Sequence, residues 1–145
     1  MLLGFKKQFA LKIKIGTKVH TIRGRRKVLP KIGEVLHMYT ALRTKHCELI
    51  SNKETLQSTQ KVWVKIVFRL RPFLIYDVKI CVDGRKLNAK EMHLFCQFDG
   101  FEHFEEFAKF WIEGYRKDIN KKGAQSDIIK IVESKTLYHW TDLKY

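Results

Sequence analysis

The sequence predicts an α+β domain, and three observations carry that prediction. Strict period-two alternation runs through two long stretches, Gln60 to Leu70 and Phe73 to Val82, separated at Pro72. The period then switches to helical between Asn88 and Gly114. A helical pattern opens the chain and strand-like segments close it, which gives the order α-β-β-β-β-α-α-β. That order suits a small mixed sheet or barrel with helices at one side, not a doubly wound parallel sheet.

Each element has its own signal. Phe5, Phe9 and Ile13, with Leu11, fall at helical spacing from residue 5 to Ile15, lysines fill the other face, and Gly16 supplies the stop. Lys18 is read on a loop and Thr21 to Arg23 as the start of a strand. Plain alternation would pair Lys18 with His20 on one face and Thr21 with Arg23 on the other, so a turn or bulge is needed for Lys18 and Thr21 to meet. Gly24-Arg25-Arg26-Lys27 and Pro30-Lys31-Ile32-Gly33-Glu34 read as basic turns. Val35 to Thr44 alternates as a strand, and residues 51 to 59 read as a polar loop.

In the first long strand Val62, Val64, Ile66, Phe68 and Leu70 share one face, with Lys61, Lys65 and Arg69 on the other. In the second, Leu74, Tyr76, Val78, Ile80 and Val82 are expected inward and Asp77 and Lys79 outward, and Asp83-Gly84 marks a tight turn. Ala89 to Cys96 is a short helix with Met92, Phe95 and Cys96 on its apolar side, ended by Asp99-Gly100. Phe101, Phe104, Phe107, Ala108 and Trp111 define a second helix ending near Gly114, with Glu102, Glu105 and Glu106 in its first turns. Lys121-Lys122-Gly123 begins a loop, and Ile128 to Val132 and Leu137 to Trp140 form the closing strands.

Composition narrows the class. A chain of 145 residues with 45% hydrophobic and 12% aromatic content is one folded domain, residues 1–145, and not a disordered segment. No apolar run is long enough to span a bilayer, and lysines interrupt the first sixteen residues, so no membrane partner is expected. Three cysteines without framework spacing suit a reducing, cytoplasmic setting. The formal net charge is +14 and it is unevenly spread. Residues 1 to 45 hold twelve Lys or Arg against Glu34 alone, whereas residues 91 to 113 hold six acids against Lys109. A basic face of this kind is the footprint of a polyanion binder.

The richest chemistry lies in Gly16-Thr17-Lys18-Val19-His20-Thr21-Ile22-Arg23, which gathers an amine, an imidazole, a hydroxyl and a guanidinium in the most basic part of the chain. On that stretch alone a solvated basic loop is the simpler reading. A nucleic-acid interface would use Lys18, His20, Arg23, Arg25, Arg26, Lys27 and Lys31 toward phosphates. Tyr39, with Trp63 or His37, would stack on unpaired bases. Against this, Tyr39 also suits a core position and Trp63 suits packing on a neighbouring strand. Zinc ligation by His46-Cys47, His93, Cys96 and Cys81 has no Cys-x-x-Cys pair behind it, and neither a metal nor a cofactor is expected.

Taken together, the Gly-x-Lys-x-x-Thr-Ile-Arg string, Lys31-Ile32-Gly33-Glu34-Val35-Leu36 after it, and Phe95-Cys96-Gln97-Phe98-Asp99-Gly100-Phe101 leading into an aromatic helix resemble an ASCH domain, a relative of the PUA domain. The likeness runs from about Phe5 to Trp140. It implies a small PUA-like mixed β-barrel of about five or six strands with flanking helices, and a ligand of the RNA or modified-nucleoside kind. One branch of that family is similar to amidohydrolases of N4-acetylcytidine, which use a Lys, a Thr and a Glu; other members are ribonucleases. By motif the resemblance assigns Lys18 and Thr21 to the first two roles and places Asp99, one methylene shorter, where the Glu would be. Two functions therefore stand side by side: a binding module with a basic cleft, and a hydrolase or ribonuclease using Lys18 as base, Thr21 as nucleophile and Asp99 as proton shuttle. In the second, cationic neighbours of Lys18 (His20, Arg23, Arg25 and Arg26) would favour its neutral amine, and Arg23 or a backbone N–H would hold the oxyanion.

Overall fold

The structure, a computed structural model, describes residues 1–24, 26–70, 72–121 and 128–145. Among these the order is β1 (Leu2–Phe5), α1 (Ala10–Lys14), β2 (His20–Arg23), β3 (His37–Thr40), β4 (Glu48–Ser51), β5 (Ser58–Leu70), β6 (Phe73–Val82), β7 (Arg85–Lys86), α2 (Ala89–Phe98), α3 (Phe104–Lys121) and β8 (Ile128–His139). The class is α+β. Two sheets form, one of three strands in the order β1-β3-β4 and one of five in the order β2-β8-β5-β6-β7, and the hydrogen-bonded order of neither closes on itself. No helix of the described residues is long and apolar enough to cross a membrane.

The five-stranded sheet grows from the period-two stretches. β5 lies at its centre, antiparallel to β8 on one side and β6 on the other. Its alternate residues Val62, Val64, Ile66 and Phe68 are fully buried against the helices and the rest of the core. β6 runs from Phe73 to Val82, and Val78, Ile80 and Val82 point inward. The alternation does not hold at its start. Val67 pairs with Asp77 but Phe68 pairs with Ile75, so β6 carries an extra residue there. That bulge reverses the faces, leaving Leu74 50% exposed and packing Ile75 on the core. The Asp83-Gly84 turn has φ of 49° and 87°, the left-handed pair a two-residue hairpin requires.

Four elements depart from the local pattern. The opening helix is split: Leu2–Phe5 is a strand paired in parallel with His37–Thr40, and only Ala10–Lys14 is α-helical. The third strand is short because Ala41 and Arg43 take positive φ, which turns the chain away from the sheet. β4 was not foreshadowed by any alternation and is held by pairing with β3. The two closing segments are one strand, because β8 pairs with β5 along its whole length, from Ile128↔Arg69 to His139↔Ser58.

The helices behave more simply. Asn88 caps α2 in a reciprocal box with Glu91. In α3 the apolar positions Phe107, Ala108, Trp111, Ile112 and Tyr115 keep one face on the core. This face carries the helix past Gly114, where it was expected to end, because the Trp111 and Tyr115 rings stack across that turn at 6.5 Å. Lys121, expected to begin a loop, is instead the last residue of α3, and the rest of that loop, Lys122-Gly123, lies outside the described residues.

Candidate functional site

The end of α2 builds the site. Gly100 takes φ 92°, and the Phe101 N–H donates back to the Cys96 carbonyl at 2.9 Å, a left-handed helix stop that leaves Asp99 as the last helical cap. A carboxylate at a helix C-terminus opposes the helix dipole and needs a cation beside it. Lys18 supplies one. The turn after α1 holds it in place: the Thr17 and Lys18 N–H groups both donate to the Lys12 carbonyl at 3.0 Å, and the Val19 N–H donates to the Phe98 carbonyl at 2.9 Å. The Lys18 Nζ then donates to Asp99 Oδ1 at 2.6 Å and to the Asp99 carbonyl. Its ammonium also lies 4.8 Å from the centre of the Phe9 ring.

This pair sits at the edge of a cavity of about 260 Å³ lined by Phe5, Phe9, Phe101, Phe110 and Trp111, with Lys18, Thr21, Arg23 and Asp99 contributing polar groups. Strand β2 explains the assembly. Thr21 and Arg23 lie on one face of the strand and border the cavity, as does Ile22 between them, and Lys18 reaches it from the loop before the strand, as the spacing requires. The Arg23 guanidinium donates to the Gly4 carbonyl at 2.7 Å and lies 4.6 Å from the Phe5 ring centre. Arg26 likewise donates to the Leu2 carbonyl at 2.9 Å, so two arginines tie successive outward carbonyls of β1 to the larger sheet.

The electrostatics differ from the expectation. Lys18 is 2% exposed and not a surface lysine. Burial is the main force lowering its proton affinity; the Asp99 carboxylate opposes this, and Arg23 and Lys12 add smaller lowering contributions. Burial likewise raises Asp99, against the pull of Lys18 and Arg23. The two groups are thus pushed toward each other in proton affinity, the direction that favours proton transfer between them.

Other candidates lie elsewhere. His20 is fully buried on the opposite side of β2, 4.8 Å from the Phe95 ring and with Nδ1 3.2 Å from the Tyr145 hydroxyl, so a ligand in the cavity does not touch it. Tyr39 is half-buried in β3 and does not line the cavity. Lys27 and Lys31 are exposed on the loop after β2, beyond the cavity, and Arg25 lies outside the described residues. Among the described residues no group of three or more His, Cys, Asp or Glu side chains gathers as metal ligands would. The aromatic wall has no mark of its own in the sequence, because Phe9, Phe101 and Trp111 carry the same signal as core residues.

Gly100 offers a direct test of how tightly the pair is held. A Cβ there would meet the Phe9 ring at 3.0 Å and Lys18 Cδ at 3.1 Å, on a backbone conformation that L-residues avoid. Gly100→Ala is expected to destabilise the fold by about 1–3 kcal/mol and to weaken any ligand of the cavity, read by thermal melting and binding on one preparation. No family model, curated protein or solved structure matches the chain.

Proposed function

We propose that this chain is an RNA- or modified-nucleoside-binding protein of the ASCH type, with a PUA-like arrangement of strands, and that the cavity takes a single base. What supports this is the meeting of the Lys18–Asp99 pair, Thr21 and Arg23 in a cavity whose other lining is mainly aromatic, with Gly4, Lys6 and Ile22 completing it. A flat heteroaromatic ring with hydrogen-bonding edges suits such walls. At about 260 Å³ the space lies at the small end of ligand sites, enough for one ring system and its immediate substituents.

A second reading, hydrolysis of a nucleobase amide such as N4-acetylcytidine, is favoured by the Lys18–Asp99 pair lying beside Thr21 in the same cavity. Thr21 Oγ attacks the acyl carbon while its proton passes to the neutral Lys18 amine. Arg23 stabilises the oxyanion. Asp99 returns a proton to the exocyclic nitrogen as the C–N bond breaks, and water then releases the acyl group from Thr21. Cleavage of RNA by the same three groups is the other hydrolytic form.

N4-acetylcytidine and a mixed single-stranded RNA, incubated separately with wild type and Thr21→Val, decide between the readings. Binding without turnover is expected. Nucleoside affinity should change little with salt, since a nucleoside carries no phosphate, and Arg23→Lys should weaken it by removing the fork of donors. Deacetylation or strand cleavage that Thr21→Val abolishes would establish the hydrolase instead. Failure to bind either compound would remove the cavity from consideration.

A further inference from the structure

The five-stranded sheet has a second face. On β5 the residues opposite the core are Lys61, Trp63, Lys65 and Val67. Cys81 and Ser134 flank Trp63 on the neighbouring strands, and Lys79 and Val132 flank Lys65. Lys61, Lys130, Val132 and Ser134 are exposed to solvent. Trp63 is partly exposed, is not among the residues packed against the core, and among the described residues makes no ring contact. A large indole left open between two small side chains, on a sheet whose other face is filled, has no packing role to explain it.

We propose that this face binds single-stranded RNA, with a base stacked on Trp63 and phosphates held by Lys61, Lys65, Lys79 and Lys130. Charge complementarity argues for this occupant. On the sheet the four lysines share the face with Asp77, which bridges Lys65 at 3.5 Å and Lys79 at 3.4 Å, and the adjoining groove adds Asp83, set against a further cation, Lys135. The face also continues into a groove of about 860 Å³ whose lining includes Thr59, Lys61, Ser134, Thr136 and Leu29. Leu29 belongs to the loop that also carries Lys27 and Lys31, both exposed, so that loop borders the groove at Leu29. Hydroxyls, lysines and one open aromatic ring form a platform that tracks a backbone and stacks bases without reading their order. Arg23 pairs with Thr136 and Thr136 with Lys61, so the platform shares a face of the sheet with the polar end of the cavity, two strands away, but has its own lining and does not depend on what the cavity binds: one accommodates a single base, the other a strand.

The two sites can be told apart because each has its own tryptophan, Trp63 on the sheet and Trp111 in the cavity. The full chain is titrated with an oligouridine of about a dozen nucleotides, following anisotropy of a labelled strand and quenching of tryptophan emission by an unlabelled one. Trp63→Ala is expected to weaken binding roughly ten-fold. Replacing the four lysines by glutamine should reduce the slope of log affinity against log salt by about 3, near 0.7 per phosphate released. Quenching should be lost in Trp63→Phe, which keeps a ring and the fold, and persist in Trp111→Phe. The reverse pattern would place the strand in the cavity and overturn the proposal while leaving the cavity reading in force. An absence of oligouridine binding at roughly 50 mM salt, or equal binding of polyglutamate that Trp63→Ala does not affect, would also overturn it.

Discussion

Asp99→Ala is expected to destabilise the fold by about 3–5 kcal/mol, because it leaves the Lys18 ammonium buried without its carboxylate. For a chain of this length that corresponds to a fall in melting temperature of roughly 10 °C or more. Lys18→Ala should lose a comparable amount, since it strands the carboxylate at the C-terminus of α2, where the helix dipole already opposes it. This reverses the expectation for an exposed loop lysine, whose removal leaves a fold intact. The double variant Lys18→Met/Asp99→Leu removes both charges and fills the volume, and its stability should return to that of the wild type or exceed it. Urea denaturation of the four proteins measures the three changes. If Asp99→Ala costs less than about 1 kcal/mol, the pair is solvated and the proton-transfer argument fails with it. The double variant also separates function from folding: a stable protein that no longer binds nucleoside assigns the pair to the ligand.

The contrast between Lys18 and its neighbours shows what local sequence can convey. Strands β5 and β6, the Asp83-Gly84 turn and the capped helix α2 follow from side chains within a few residues of one another, and the structure keeps them with small changes in boundary. The N-terminal strand could not be read this way. Phe5, Phe9 and Ile13 do fall at helical spacing, but a partner more than thirty residues away, His37–Thr40, pulls the first of them into a sheet. Likewise the polar run Glu133-Ser134-Lys135 looks like a break until β5 is set beside it. At the site, the spacing from Lys18 to Arg23 already required a loop before a strand. The 81-residue contact of Lys18 with Asp99 has no trace in periodicity, and its burial, which sets its proton chemistry, depends on aromatic rings from three separate segments. Burial is a property of the assembled fold.

Stability should fall steeply as the pH drops from about 7 to 5, and His139 should account for about half of the loss. His139 is fully buried and neither ring nitrogen has a hydrogen-bond partner among the described residues. Burial pushes it down to about 4, with Asp83 opposing and Lys144 assisting. His20, its cross-strand neighbour, is held well below the ordinary histidine range, by burial first and then by the charges of Lys18 and His139. A histidine near 6.5 in the unfolded chain takes up its proton first as the pH falls, so each contributes stability that is full above that value and lost on the way down. From pH 7 to 5 the loss is roughly 2 kcal/mol for each histidine that stays neutral in the fold. Glu34, Glu91 and Glu133 are all held below the ordinary range and titrate at lower pH. His139→Leu gives up no side-chain hydrogen bond, so it should match or exceed the wild type at pH 7 and lose only about half as much by pH 5. Urea midpoints measured across that range decide the matter. Superimposable profiles for the two proteins would mean that His139 is not the neutral, shielded group its position makes it, and that another group carries the acid sensitivity of the fold.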